Sequence, residues 1–235
     1  MVAILLKIPK GNTKLDAYKL LSFDKIPSTQ DYALDLIANG EASNKTIIKA
    51  LAQSAGRGRY RRTWVSHHGN LYLSFIYKIS ERDPKLSYAV AVAIAETLIS
   101  FGLSPQIKWP NDVLIGGKKI SGVLIEYAQN FVIVGVGINV KTCPTVKEYK
   151  TTKVNKFSDV DINEVFSVLI KKMDKWRGAD FSKVRERWMD LAFALNKNIQ
   201  YHGKTAELIG LNEDGALVLR DGSRYILTYG DEISI

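Results

Sequence analysis

Residues 106–140 read QIKWPNDVLIGGKKISGVLIEYAQNFVIVGVGINV, and this stretch decides the fold class. It predicts a short strand at 106–109, then a hairpin of 112–115 and 118–127, then a further strand at 131–140. The hairpin rests on Gly116-Gly117, because paired glycines supply the positive φ angles of a tight turn. Working outward, 45–53 and 70–79 are rich in β-branched and aromatic residues and predict two more strands. Helices interrupt them. Ser28 is placed to cap a helix reaching Asn39, with Asp31 at the capping-box position and Gly40 after it. Asp83-Pro84 opens a second helix running to Phe101, and 161–177 and 181–195 form a helical pair. Strict strand–helix–strand alternation is scarce, so the pattern predicts α+β, a mixed sheet packed with helices, rather than a doubly wound sheet.

After Asn196 the pattern changes. Short strands at 199–201, 205–209, 216–220, 223–228 and 232–235 are punctuated by His202-Gly203, Asp214-Gly215, Asp221-Gly222 and Gly230. These predict a small β-barrel, and hence two domains, 1–195 and 196–235.

The chain has 235 residues, 46% apolar and 24% charged, as in an ordinary globular protein with a real core. Its longest purely apolar run, 89–95, is far below the ~20 residues of a membrane helix. The patch 2–6 lacks the basic flank and cleavage signal of a secretory peptide. A single cysteine, Cys143, forms no internal disulfide, which suits a cytoplasmic setting. The net charge of +9 suggests a polyanionic partner. That charge is concentrated: between Ala42 and Ser80 there is no acidic residue, against Lys45, Lys49, Arg57, Arg59, Arg61, Arg62 and Lys78.

At the centre of that stretch lies Gly56-Arg57-Gly58-Arg59-Tyr60-Arg61-Arg62-Thr63-Trp64. Glycines allow close backbone approach, and arginines present forked donors suited to phosphate or carboxylate. A loop closing over a nucleotide or acyl phosphate fits; an arginine-rich nucleic-acid-binding loop is the rival. The Walker spacing and its terminal Lys-Ser/Thr are absent. Lys108-Trp109-Pro110-Asn111-Asp112 places a carboxylate where it could hold Mg²⁺ beside a triphosphate. Lys119 could offset charge on a reacting phosphoryl group, although in isolation both segments read as turn and hairpin surface. Gly135-Val136-Gly137 lies within a strand and lacks the third glycine of a dinucleotide fingerprint; it suits close approach of a flat ligand. His67 and His68 are adjacent and make a poor metal pair, and Lys171, Lys172 and Lys175 read as a solvated helix face.

Taken together, GRGRYRRTW, KWPNDVL, KKISGVLIE and VGVGINV, in this order and spacing, resemble the catalytic domain of biotin protein ligases. The resemblance runs from about Phe23 to the C-terminus. It implies a class II synthetase-like, biotinyl/lipoyl ligase-like sheet and an SH3-like barrel at the end. It also implies ATP and biotin as substrates, Mg²⁺, and a biotin carboxyl carrier protein as acceptor. Some members carry an N-terminal winged-helix DNA-binding domain; fewer than thirty residues precede Ser28, so no DNA partner is expected, and a homodimer is.

Residue by residue, the resemblance implies that Ser28, Thr29 and Gln30 contact the ureido ring, with Gln53 and Gly56 lining the biotin site. Arg57, Gly58 and Arg59 match the loop that orders over the adenylate, Arg59 holding phosphate. Lys119 matches the lysine touching the biotin carboxylate and the reacting phosphate, and Asp112 the acid acting with Mg²⁺ and in lysine transfer. Gly122, Leu124, Gly135 and Gly137 would wall the pocket. Asn111, Asn139 and Trp64 would lie near the nucleotide, and Trp188 is an adenine-stacking candidate. Two departures stand out: Arg61 occupies a place where the family often has glycine, and Gln30 replaces the commoner Asn. Lipoate attachment is the runner-up, and a basic nucleic-acid-binding module is the reading from another class.

Overall fold

The computed structural model describes residues 18–229. The expected strand at 232–235, the turn at Gly230 and the apolar patch 2–6 lie outside the described residues. Seven strands form the main sheet: β1 (Lys19–Ile26), β2 (Thr46–Gln53), β3 (Leu71–Lys78), β4 (Gln106–Lys108), β5 (Asp112–Ile115), β6 (Lys118–Ala128) and β7 (Phe131–Ile138). Their order is β1-β2-β3-β7-β6-β5-β4. The β1–β2 pair is parallel and the other pairs are antiparallel, so the sheet is mixed as expected. Strand β1 was not foreseen.

Side chains alternate across a strand, and here the alternation sorts the core into two layers. Ile47, Leu71, Leu73, Phe75, Val134 and Val136 face a large cluster with α2 (Leu86–Ile99), α3 (Ile162–Arg177) and α4 (Phe181–Leu191). Ile48, Ala50, Ile76 and Ile133 face the other way, onto α1 (Thr29–Ala38). Helix α1 begins as its sequence demands: Ser28 Oγ accepts from the Gln30 and Asp31 amides, both at 3.2 Å.

Helix α4 ends at Leu191, four residues short of the expected end. Beyond it Ala192 pairs in parallel with Ile107, and the Phe193 amide donates to the Ile107 carbonyl at 2.8 Å. Backbone pairing to the sheet edge outweighs another helical turn. The lysine face of α3 is not uniformly solvated either. Lys172 Nζ lies 3.1 Å from Glu96, which also receives Arg187, and Lys175 Nζ sits 4.6 Å over the Trp176 ring. Burial raises the Glu96 pKa, but the two cations outweigh it and the net shift is downward.

The C-terminal segment forms a four-stranded antiparallel sheet, ordered β11-β10-β9-β8, from β8 (Asn198–Tyr201), β9 (Lys204–Leu211), β10 (Leu217–Asp221) and β11 (Arg224–Thr228). It is an open meander among the described residues, not a closed barrel. Leu208, Leu211, Leu217 and Leu219 join the apolar cluster under α2 and α4. A buried relay adds to that contact: the Trp109 indole donates to the Tyr88 hydroxyl at 3.1 Å, which donates to the Gly215 carbonyl at 2.7 Å. No helix among the described residues is long and apolar enough to cross a membrane.

Buried Asn70 anchors the exit of β7. Its Oδ1 accepts from the Val140, Lys141 and Thr142 amides at 2.8, 3.2 and 3.1 Å. Its Nδ2 donates to the Tyr72 hydroxyl at 3.0 Å and to Thr142 Oγ1 at 2.9 Å. Burial pushes the Tyr72 hydroxyl up to about 12, partly countered by the Asn70 bond, so it stays protonated and donates to the His67 carbonyl. Truncating Asn70 to alanine strands several buried groups at once and is expected to cost about 3 kcal/mol. Urea unfolding checks this; a loss under ~1 kcal/mol would contradict it.

Candidate active site

The second face of the sheet carries a cleft of about 820 Å³. Its floor follows from strand register. Gly137 stands opposite Tyr72 on β3 and Gly122 on β6, and Gly122 in turn opposite Asp112 on β5. One pleat along, Gly135 stands between Ser74 and Leu124. The glycines leave room that a side chain would fill. A Cβ at Gly137 would collide with the Trp64 indole, and one at Gly135 would lie 2.7 Å from Gln30 Oε1 and 3.3 Å from the Leu124 carbonyl.

The polar end of the cleft is built by the start of α1. Gln53 Oε1 accepts from the Thr29 amide at 2.8 Å and from its hydroxyl at 3.1 Å, while Gln53 Nε2 donates to Ser66 at 2.8 Å. Ser74 Oγ lies 2.9 Å from both Thr29 Oγ1 and Gln30 Oε1. Thr29, Gln30 and Ser74 are all buried, so these pairings satisfy groups that would otherwise be costly.

At the opposite end Lys119 Nζ pairs with Asp112 Oδ1 at 2.7 Å. Its ammonium lies 5.4 Å from the Trp64 ring centre and 4.9 Å from that of Tyr149, an aromatic pair that favours a cation between them. The Lys119 backbone is clamped as well: its amide donates to the Lys150 carbonyl and its carbonyl accepts from the Thr152 amide, both at 2.9 Å. Burial first, and then the Asp112 and Glu148 carboxylates, push the Tyr149 hydroxyl pKa upward. Behind Trp64 a smaller annex of about 200 Å³ opens, bordered by Val65, Lys119, Tyr149 and Asn139. Asn139 is buried; its Nδ2 donates to the Thr152 carbonyl at 3.1 Å, and its Oδ1 has no partner.

The arginine loop folds back on itself. The Gly58 amide donates to the Arg62 carbonyl at 2.8 Å, and Arg57 bridges Thr63. Arg59 Nη1 lies 3.5 Å from Asn111 Oδ1, and Asn111 Nδ2 donates to the Val123 carbonyl at 2.6 Å. Arg57 contacts Asp31 and Glu126; burial opposes its charge, but the Glu126 bonds and both carboxylates raise its pKa. The unusual backbone angles fall not on the glycines but on Tyr60 (φ 53) and Arg61 (φ 58). A left-handed conformation costs a non-glycine residue ~1–2 kcal/mol. Against this stands glycine's greater unfolded-state entropy, ~0.5–1 kcal/mol. Arg61→Gly is therefore expected to raise stability by about 0.5 kcal/mol, read from the urea midpoint; a loss would contradict the strain.

Of the residues singled out by sequence, Ser28, Thr29, Gln30, Gln53, Arg57, Gly58, Arg59, Trp64, Asn111, Asp112, Lys119, Gly122, Leu124, Gly135 and Gly137 all border the cleft. Asn139 borders the annex alone. Gly56 is buried behind the wall, with Ser66 and Gln53 against the position of its missing side chain. Trp188 needs correction. It is fully buried, edge-on to Tyr88 at 5.9 Å, because the apolar stripe of α4 turns Val184, Trp188 and Leu191 into the core; it cannot stack on a base. Sequence reasoning missed Tyr149, which lines the cleft, and buried Ser74, which hydrogen-bonds Thr29 and Gln30. It also missed the contacts of Arg57 with Asp31 and Glu126, which are not among the residues lining the cleft.

Similarity to known proteins agrees with this geometry. The family model for the biotin/lipoate A/B protein ligase family matches residues 22–142. A biotin–[acetyl-CoA-carboxylase] ligase of Paracoccus denitrificans is 30% identical over 76% of this chain and 85% of its own length. The bifunctional ligase/repressor BirA of Bacillus subtilis is 28% identical over 95% of this chain and 76% of its length. Among solved structures, the biotin protein ligase from Aquifex aeolicus in complex with biotin and ATP superposes with a TM-score of 0.81 and 27% identity, covering 92% of this chain and 97% of that one. A cleft with a polar end at α1, a glycine floor and a lysine–aspartate pair thus coincides with the matched segment, and the chain belongs to the biotin/lipoate A/B protein ligase family.

Proposed function

We propose that this chain is an ATP-dependent ligase that activates biotin to biotinyl-5'-AMP and transfers it to a lysine of a biotin carboxyl carrier protein. The observation that carries the reading is the Lys119–Asp112 pair, 2.7 Å apart, at one end of a cleft whose other end presents Thr29 and Gln30, both hydrogen-bonded to buried Ser74. That polar end suits a ureido ring, which donates and accepts hydrogen bonds. The dithiolane of lipoate brings no N–H or carbonyl to match that polar end.

In the first step a biotin carboxylate oxygen attacks the α-phosphorus of ATP. The bond from the α-phosphorus to the α,β-bridging oxygen breaks, releasing pyrophosphate and leaving a mixed anhydride. Two anions must meet, so positive charge held in place is the main requirement. Lys119 supplies it at the floor and Arg59 from the loop. Trp64 and the annex would take the base, with Asn139 Oδ1 as acceptor for an amino group. In the second step the carrier's lysine amine attacks the carbonyl, AMP leaves, and an amide forms as the amine loses its proton. The loop residues 57–63 would exclude the water that competes for the anhydride.

Magnesium fits this donor set as an ion shared with the nucleotide. Such an ion needs only one or two protein carboxylates, and Asp112 stands at the floor. Among the described residues no cluster of three ligating His, Cys, Asp or Glu side chains would cage a metal alone. Asp112 would hold the ion, which would supply positive charge to phosphate oxygens. The reading is tested by exchange of radiolabelled pyrophosphate into ATP, with biotin and lipoate in parallel. Biotin-dependent exchange is expected; exchange with lipoate alone, or with neither, would overturn it.

A further inference from the structure

Arg57 is the first arginine of the loop, yet its guanidinium is already engaged on two sides. Its Nη1 donates to Asp31 Oδ1 at 2.7 Å and to Glu126 Oε2 at 3.1 Å, and its Nη2 donates to Glu126 Oε1 at 2.7 Å. The Glu126 contact is the bidentate, planar pairing that only arginine makes. With one cation against two carboxylates, the cluster is negative by one charge and repels a further anion. Asp31 belongs to α1, which carries Thr29 and Gln30; Glu126 belongs to β6, which carries Lys119, Gly122 and Leu124. Arg57 itself is the root of the loop that carries Arg59 and Trp64. One guanidinium therefore ties three walls of the cleft. The three side chains are 33%, 46% and 26% exposed, so the tie is strong in geometry but releasable.

We propose that Asp31, Arg57 and Glu126 form a latch that pins the root of the arginine loop to α1 and β6 and so sets how long the acyl-adenylate stays sheltered. The proposal rests on the ligase reading above. Asp31 and Glu126 act through Arg57, and are positioning residues. Their removal leaves Lys119, Asp112, the Gly58–Arg62 bond and the Arg59–Asn111 contact in place, so adenylate still forms, but a loop unpinned at its root lets it escape or meet water.

The test uses the full chain with Glu126→Gln, Asp31→Asn and the double variant, changes that keep shape and remove charge. One arm needs no substrate: trypsin is added under native conditions and cleavage after the loop arginines is timed. The other arm compares AMP released without carrier to biotin-dependent pyrophosphate exchange. In the double variant loop cleavage is expected to quicken on the order of tenfold, equivalent to about 1.4 kcal/mol of lost pinning. The ratio of AMP release to exchange should rise about tenfold, with exchange itself within about threefold of the unaltered chain. A merely structural contribution lowers both rates together and leaves their ratio unchanged; that result overturns the latch, as does unchanged cleavage. If the unaltered chain shows no biotin-dependent exchange, the ligase reading fails instead, and the trypsin arm still decides whether the triad holds the loop.

Discussion

Lys119→Ala is expected to reduce biotin-dependent pyrophosphate exchange on the order of a thousandfold, while the protein still folds. The side chain sits where two anions must be brought together, and its ammonium is held on three sides by Asp112, Trp64 and Tyr149. Alanine removes that charge and leaves the Asp112 carboxylate facing the incoming phosphates uncompensated, so lost attraction and new repulsion act in the same direction. The fold should survive because the lysine backbone, not its side chain, makes the bonds to Lys150 and Thr152. Lys119→Arg should recover part of the rate, since it restores charge but not the compact point donor. Exchange kinetics with circular dichroism separate the two effects. An alanine variant within tenfold of the unaltered rate would remove Lys119 from the chemistry.

Gly135→Ala is the second large expectation, and it acts on binding instead. The added methyl would lie 2.7 Å from Gln30 Oε1 and 3.3 Å from the Leu124 carbonyl. The carbonyl belongs to a strand and cannot move cheaply. Gln30 must yield, and in doing so it loses its contact with Ser74 at the polar end. Overpacking of this kind costs ~1–3 kcal/mol, which here falls on the biotin subsite. The KM for biotin should rise by about one to two orders of magnitude with a smaller change in kcat. A biotin KM within threefold of the unaltered value would mean that Gln30 does not define the subsite.

The floor of the cleft was legible because strands alternate. Gly122 and Leu124, and Gly135 and Gly137, are each two residues apart, so each pair shares a face, and adjacent β6 and β7 bring both pairs to one surface. The C-terminal meander was legible from its Gly-containing turns, though its closure into a barrel was not found among the described residues. Strand β1 escaped notice because KLLSFDKI carries Lys19, Asp24 and Lys25 and opens on no turn signal; parallel pairing with β2 makes it a strand. Trp188 was misread because an aromatic residue on an amphipathic helix carries no label saying whether it faces core or ligand. The latch was invisible for a different reason. Arg57 and Glu126 lie 69 residues apart, and only the register that places β6 in the cleft brings them together. Arg61 lay between these cases: its position was flagged by a missing glycine, and its φ of 58 supplies the physical reason.

The most direct measurement is transfer to a carrier. The full chain is incubated with ATP, Mg²⁺, biotin and a purified biotin carboxyl carrier domain, and the carrier is resolved and read with streptavidin and by mass spectrometry. Biotin joined to one lysine of the carrier, dependent on ATP and lost in Lys119→Ala, is the predicted result. An unlabelled carrier under conditions where a known biotin ligase labels it fully would contradict the account.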